Sequence, residues 1–324
     1  MEKINVAAAL NSKYMRYTYV MLTSLFVNEP DSHIRVFILH NDLTENDKGA
    51  LENLVKQYGN EIVFLHIAKV DFPVELPTTE MWSLETYFRL MLLDVLPDDV
   101  EKLLYIDVDI IINKPIKFLY DTDFEGKNFC VCKDMTAMMP FGDSRDEIFK
   151  SYFDNGFVYF NAGLMLWNVA KLREEGYSFE KYMELAKELE YKMLAPDQDL
   201  LNYMHWNQVK FVDEYQYDLF SRMAYNTGIH YEDVKQETTI VHYAGMKPWE
   251  GEYLHYDIEQ LWWDYAKMTP FYHELLEEFL WANLNKPVVY DMVMRMSQEK
   301  RQLKEELDKS VEMCRRMLQM MEKR

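Results

Sequence analysis

Short apolar runs and helix-period segments alternate over the first 112 residues, and few architectures accept that order. INVAAAL (4–10), IRVFILH (34–40) and IVFLHI (62–67) have the length and branched content of buried strands. Between them lies YMRYTYVMLTSLFVN (14–28), with Val20, Leu22, Leu25 and Phe26 on adjoining helical positions, and a helix that Thr44 caps and that runs to Tyr58 before Gly59. SLETYFRLMLLDVL is predicted as a third helix, capped by Ser83 and ended by Pro97. Such alternation predicts an α/β fold whose mostly parallel sheet is covered on both faces. Ligands of such sheets gather at the carboxyl ends of the strands, the edge to which Asn11-Ser12 and Asp107–Asp109 belong.

The fourth apolar run, LLYIDVDIII (103–112), is predicted as a buried strand bounded by Glu101-Lys102 and Asn113-Lys114-Pro115. In a strand Asp107 and Asp109 would share one face, roughly 6.5–7 Å apart along it. Two carboxylates that close and partly desolvated are costly unless a positive charge joins them, and a divalent cation is the simplest remedy. The plain alternative is an exposed turn after the strand, where Asp is a good turn former.

Four other stretches bear on that choice. Asn11-Ser12-Lys13-Tyr14 joins the first strand to the first helix, where backbone N–H groups receive anions and Tyr14 offers a flat face to a base. Arg89 sits among apolar residues in ETYFRLMLLDVLP, either snorkelling to solvent or reaching a buried anion. In APDQDLLNYMH (195–205), Pro196 opens a helix with Asp197, Gln198 and Asp199 in its first turn, where acids suit the helix dipole. In HYAGMKPW, His242 ends a strand, Gly245 allows a sharp turn, and Lys247 stands in a stiffened loop. An imidazole completes a metal site begun by two carboxylates, and Lys247 can hold a charged leaving group beside it. FNAGLMLWNV (160–169) and SFEKYMELAKEL (178–189) are predicted as strand and helix.

A net charge of −20 argues against nucleic acid as a partner, so an anionic ligand must be met by local cations. Cys130, Cys132 and Cys314 make no disulfide framework, and the Cys-Val-Cys pair reads as core filling on a strand. The N-terminal apolar stretch is too short for a signal sequence, and no stretch approaches the ~18 apolar residues of a membrane span, so a reduced, cytoplasmic setting is expected. Residues 295–324 carry nine Lys/Arg against six acids, and Leu307, Val311, Cys314, Leu318 and Met321 are spaced as a helical apolar seam. Such a tail (286–324) docks on an anionic membrane surface, pairs with another helix or packs on its own domain.

YIDVDIII, FNAGLML, DQDLLN and HYAGMKPW, in that order and at those distances, resemble the retaining glycosyltransferases of family 8. The bacterial branch that adds galactose or glucose to cell-surface glycans and lipooligosaccharide looks most similar. The resemblance spans about residues 4–285 and implies one Rossmann-like GT-A domain over 1–285, a UDP-hexose donor, a glycan or glycolipid acceptor and Mn²⁺, with Mg²⁺ as the alternative. By position it implies Asp107, Asp109 and His242 as metal ligands. It places Ala9, Asn11 and Tyr14 at the uridine, and Arg89, Asp107, Val108, Gly245 and Lys247 at the ribose, diphosphate or donor sugar. Asn161, Asp197 and Gln198 would line the donor sugar, with Gln198 near the reacting carbon, and Asp134 would face the acceptor. Two departures are visible: the first loop reads Asn11-Ser12-Lys13-Tyr14 where the family has an acid, and the histidine loop is one residue shorter. Two rival readings are a haloacid-dehalogenase-type phosphatase, in which Ile111 would replace an expected Thr or Val, and a binding protein that kept the site without turnover.

Overall fold

The computed structural model describes residues 3–68, 84–250 and 256–284 and, farther on, residues 294, 296–304, 307 and 309–311. The chain divides into two compact units, one made of 1–248 with 254–274, the other of 249–253 with 275–324.

Seven strands of the first unit form the central sheet: β1 (Lys3–Ala9), β2 (His33–His40), β3 (Glu61–His66), β4 (Leu103–Ile106), β6 (Phe129–Lys133), β7 (Phe160–Trp167) and β8 (Val209–Val212). Their order is β3-β2-β1-β4-β7-β6-β8. All pairs are parallel except those of β7, which runs antiparallel to β4 and β6. A smaller sheet holds β5 (Ile110–Ile112), β10 (Ile240–His242) and β9 (Leu219–Phe220) in that order.

Alternation along the strands divides the core into two layers. Val6, Ala8, Val36, Ile38, Leu104, Ile106, Leu164 and Leu166 face one layer with Leu22 and Leu25 of the Met15–Asn28 helix and Leu51 and Leu54 of the Glu45–Gln57 helix. Ala7, Phe37, Tyr105, Val131, Met165 and Trp167 face the other, with Tyr182, Leu200 and Leu201 from helices Phe179–Glu188 and Pro196–His205. Every residue of β4 and β7 is buried, as strands covered on both faces require. Cys130 and Cys132 are buried in the first layer as free thiols, in keeping with core filling.

Most predicted elements lie within one or two residues of their places, and Thr44 forms a reciprocal capping box with Asp47. The run 103–112 differs. It is two strands in two sheets, because the chain turns at Asp107–Asp109 and β5 leaves to pair antiparallel with β10. Polar groups of the first helix receive the departing strand: Ser24 Oγ accepts from Ile112 N–H (3.0 Å) and Asn28 Nδ2 donates to the Ile112 carbonyl (3.0 Å). The segment predicted as one helix from Ser83 is a 3₁₀ helix over Leu84–Met91 followed by a short α turn, Leu92–Val95. Three residues per turn align Thr86 with Arg89 on one face. Ser83 lies outside the described residues. The strand expected to end at His242 is β10, and Gly245 turns the chain beyond it at φ +86°.

In the second unit Leu303, Leu307 and Val311 are exposed, while Cys314, Leu318 and Met321 lie outside the described residues. Among the described residues no helix is long and apolar enough to cross a membrane.

The core also carries a titration. His205 is fully buried, with Asn128 Nδ2 3.3 Å from Nδ1 and the Tyr182 hydroxyl 2.9 Å from Nε2. Burial depresses this imidazole to about 3, against about 6.5 in the unfolded chain. The neutral ring therefore contributes its full stability above pH 6.5, and that contribution is lost as pH falls toward 3, on the order of 3 kcal/mol by pH 4. Denaturant titrations from pH 7 to 4 are expected to show this fall, and His205→Gln to flatten its slope by about one proton. Burial, then Lys48, hold His40 low in the same way at about 4, so part of the slope survives in that variant.

Candidate active site

The site forms at the carboxyl ends of β1 and β4. Its floor is the turn that separates β4 from β5. The Asp107 N–H donates to the Gly163 carbonyl of β7 at 2.7 Å, and the Tyr243 N–H donates to the Asp109 carbonyl at 3.0 Å. One aspartate is thereby tied to the central sheet and the other to the small one.

Asp107, Asp109 and His242 each offer a ligand atom, all within 4.8 Å of one another. His242 Nε2 lies 3.4 Å from Asp109 Oδ1, and its Nδ1 lies 2.9 Å from Oδ1 of Asp218, which is completely buried. Lys247 Nζ pairs with Asp109 Oδ2 and donates to the Tyr243 carbonyl at 3.1 Å, the turn at Gly245 bringing it back. Arg89 resolves its two sequence readings toward the anion. Its Nη2 donates to Asp107 Oδ1 (2.9 Å), its Nε lies 2.7 Å from Asp197 Oδ2, and Nη1 donates to the Ala162 carbonyl. The guanidinium also sits 4.6 Å from the centre of the Tyr105 ring, whose hydroxyl donates to Asp107 Oδ1 at 3.0 Å.

The charges are not balanced. Among the described residues Asp107, Asp109, Asp197 and Asp218 pair with two permanent cations, Arg89 and Lys247, a deficit equal to one divalent ion. The acids share the strain unequally, as closely placed carboxylates do. Burial pushes Asp107 above its ordinary range, Arg89 pulls it back and Asp109 pushes it up again. Burial also opposes ionisation of Asp109, but Lys247 and His242 outweigh it and hold it low. At His242 burial disfavours the proton, yet Asp109 and Asp218 lift the imidazole to about 10.

A cation fits here. The donors are two carboxylates and one imidazole, a mixed oxygen and nitrogen set that a divalent metal ion accepts. The space is kept by Gly163, where a Cβ would meet His242 Cε1 at 2.5 Å and Asp107 Oδ2 at 2.7 Å. Any side chain at that position would fill the cradle.

A pocket opens beside the turn, lined by Ala9, Leu10, Asn11, Tyr14, Glu85, Thr86, Arg89, Tyr105, Asp107, Val108, Asp109 and Lys247. Of the eleven residues expected at the uridine, diphosphate or donor sugar, seven line it: Ala9, Asn11, Tyr14, Arg89, Asp107, Val108 and Lys247. Gly245 serves the turn instead, and Asn161 sits with Gln198. There the Gln198 amide is oriented by its neighbours. Oε1 accepts from Ala162 N–H (2.9 Å) and Asn161 Nδ2 (3.1 Å), while Nε2 donates to Asp134 Oδ2 (3.0 Å). Asp134 is itself held by Thr136 and Ala137. Asp199 accepts from the Tyr159 hydroxyl (2.5 Å) and from Leu194 and Ala195 N–H at the start of the helix, so it fastens the helix start.

Leu10, Glu85, Thr86, Tyr105, Gly163 and Asp218 are additions to the expected set. Gly163 had a signal, a residue without a side chain inside a strand of bulky ones. Asp218 had none, since YDLF gives no sign that its acid is buried.

Residues 5–252 match the model of the family described as glycosyl transferase family 8. A Haemophilus influenzae protein, provisionally named a glycosyltransferase, is 30% identical over 213 residues, which cover 65% of this chain and 62% of that protein. The lipopolysaccharide 1,3-galactosyltransferase of Salmonella typhimurium is 27% identical over 277 residues, covering 84% of this chain and 80% of the relative. Among solved structures, the galactosyltransferase LgtC in complex with donor and acceptor sugar analogues superposes with a TM-score of 0.67 at 23% identity, covering 82% of this chain and 96% of that one. That likeness places the fold among GT-A glycosyltransferases, and the family match over most of the length settles membership: the chain belongs to glycosyl transferase family 8.

Proposed function

We propose that this chain transfers a hexosyl group, galactose or glucose, from a UDP-sugar to a glycan or glycolipid acceptor, with retention at the anomeric carbon and with Mn²⁺ (Mg²⁺ as the alternative). The observation that carries the reading is the convergence of Asp107, Asp109 and His242 beside a pocket that presents Tyr14, Arg89 and Lys247. The relatives' names, including a lipopolysaccharide galactosyltransferase, support the acceptor class.

Breaking the bond from the anomeric carbon to a diphosphate oxygen develops negative charge on the leaving group. Asp107, Asp109 and His242 would hold a divalent cation there, which would supply positive charge against it. Lys247, kept protonated against burial by Asp109, is a permanent donor to the departing phosphate. Arg89, fixed between Asp107 and Asp197, adds a second positive group at the ribose or diphosphate. Tyr14 stacks on uracil, with Ala9 and Asn11 at the uridine and Val108 and Gly245 presenting backbone. Asn161, Asp197 and Gln198 line the hexose, and Asp134 borders the acceptor through Gln198.

Retention calls for a protein nucleophile on the far face or for attack on the face the leaving group vacates. Gln198 Oε1 already accepts two hydrogen bonds, and Asp197 is committed to Arg89. Neither is placed as a nucleophile. We take the acceptor hydroxyl to attack on the leaving group's own face and to give its proton to the departing phosphate. A trapped covalent adduct on Asp197 or Gln198 overturns this step.

Residues 1–285 are taken as the transferase domain and 286–324 as a basic tail for peripheral contact with the cytoplasmic face of an anionic membrane or for helix pairing. Deleting 295–324 is expected to preserve donor hydrolysis and weaken binding to anionic liposomes; unchanged binding removes the membrane role.

With UDP-galactose and UDP-glucose as donors, UDP release is expected to require Mn²⁺ or Mg²⁺ and to cease on chelation. Asp109→Asn should lower kcat/KM by about a hundredfold, with the native circular dichroism spectrum retained. Normal turnover by that variant contradicts the assignment. Gly163→Ala is expected to weaken Mn²⁺ binding more than about tenfold in calorimetry. Gly49→Ala, at a helix position with open space around its Cβ, should leave binding alone.

A further inference from the structure

We infer that Asp218 is a positioning residue for the cation, holding the His242 imidazole so that Nε2 points at the ion; this rests on the metal reading above. Asp218 immediately precedes β9, which pairs parallel to β10 so that His242 lies opposite Phe220. That pairing brings the Asp218 carboxylate to 2.9 Å from Nδ1, on the side of the ring away from Asp109. The Phe220 ring meets the imidazole edge-on at 5.1 Å and 83°, closing a second direction of movement. Nδ1–H donated to Asp218 leaves the Nε2 lone pair as the free ligand, facing Asp109 and Asp107.

The carboxylate is conspicuous for what it lacks. Asp218 has no exposed surface, and its Oδ2 has no hydrogen-bond partner among the described residues. A buried, half-satisfied anion is a liability to the fold. An uncharged acceptor would serve equally well for the hydrogen bond alone. What the charge adds is basicity at the far nitrogen of the ring and part of the negative deficit that a divalent ion fills. Carboxylate–imidazole–metal relays work in this way, and removing the outer carboxylate commonly weakens the metal by about 10- to 100-fold.

Two substitutions separate charge from geometry. Asp218→Asn keeps an acceptor of the same shape without the charge, and Asp218→Leu removes both. Mn²⁺ binding to the full-length protein is measured from the free-ion EPR signal, and ¹⁴N modulation in pulsed EPR reports whether imidazole is bound to the ion. Wild type is expected to bind Mn²⁺ with ¹⁴N modulation that His242→Ala abolishes. Asp218→Asn should weaken binding about tenfold, and Asp218→Leu about a hundredfold with the modulation lost although the carboxylates remain. A residue that merely supported the fold would change thermal unfolding and leave the modulation of the bound ion as it was. Wild-type affinity in Asp218→Asn, or undiminished modulation in Asp218→Leu, overturns the proposal. Should Asp218→Leu not fold, the affinity of the isosteric Asn variant decides. Wild type that binds no Mn²⁺ at all refutes the metal reading itself, a different result from wild type and Asp218→Asn binding alike.

Discussion

Four buried or half-buried carboxylates around two permanent cations are the arrangement on which the rest of the molecule depends. Left alone, such a cluster is unfavourable, since each ionised group forgoes water and the acids repel one another. Arg89 and Lys247 stabilise part of it, and the proton that His242 readily takes stabilises more. A hydrophobic replacement would make a sturdier core. The cluster is intelligible as a receptor for positive charge and, through it, for an anion that a chain of net charge −20 would otherwise repel.

The fold delivers these groups by interrupting itself. β4 enters the carboxyl edge of the central sheet and stops, Asp107–Asp109 turn, and β5 continues in another ladder. Long side chains then converge from elements distant in sequence: Arg89 from a 3₁₀ helix whose three-residue period aims it inward, His242 from β10, and Lys247 from the turn at Gly245. Each is locked by a second contact, to the Ala162 carbonyl, to Asp218 and to the Tyr243 carbonyl respectively. The locking limits the reorganisation that a bound diphosphate would demand.

Much of this was legible in the residues because local rules and the global fold agree along the first half of the chain. Periodicity placed β1 to β3 and their helices, and Thr44 and Gly59 marked the ends of one of them. The break inside LLYIDVDIII was not legible. Its apolar residues suit one buried strand as well as two, and only the partner 130 residues later, β10, distinguishes them. For the site, residue chemistry singled out the acids, the histidine and the lysine as candidates, whereas the contacts of Tyr105 and Asp218 depend on neighbours that sequence spacing does not disclose. Asp197 and Asp199 show the limit well. Two identical side chains in one helical turn do opposite things, one pairing with Arg89 and the other fastening the helix start, because two residues of helix rotate them about 200° apart.

The N–H of Asp107 anchors the end of β4 on β7, while Asp109 and His242 ride on the smaller ladder. An ion held as proposed would therefore sit between two hydrogen-bonded lattices, like the jaws of a vise. Ionic radius would be felt as the spacing between lattices before it was felt as the bend of any side chain. Selectivity among divalent ions would then reside in how tightly the first helix, through Ser24 and Asn28, clamps β5 in place.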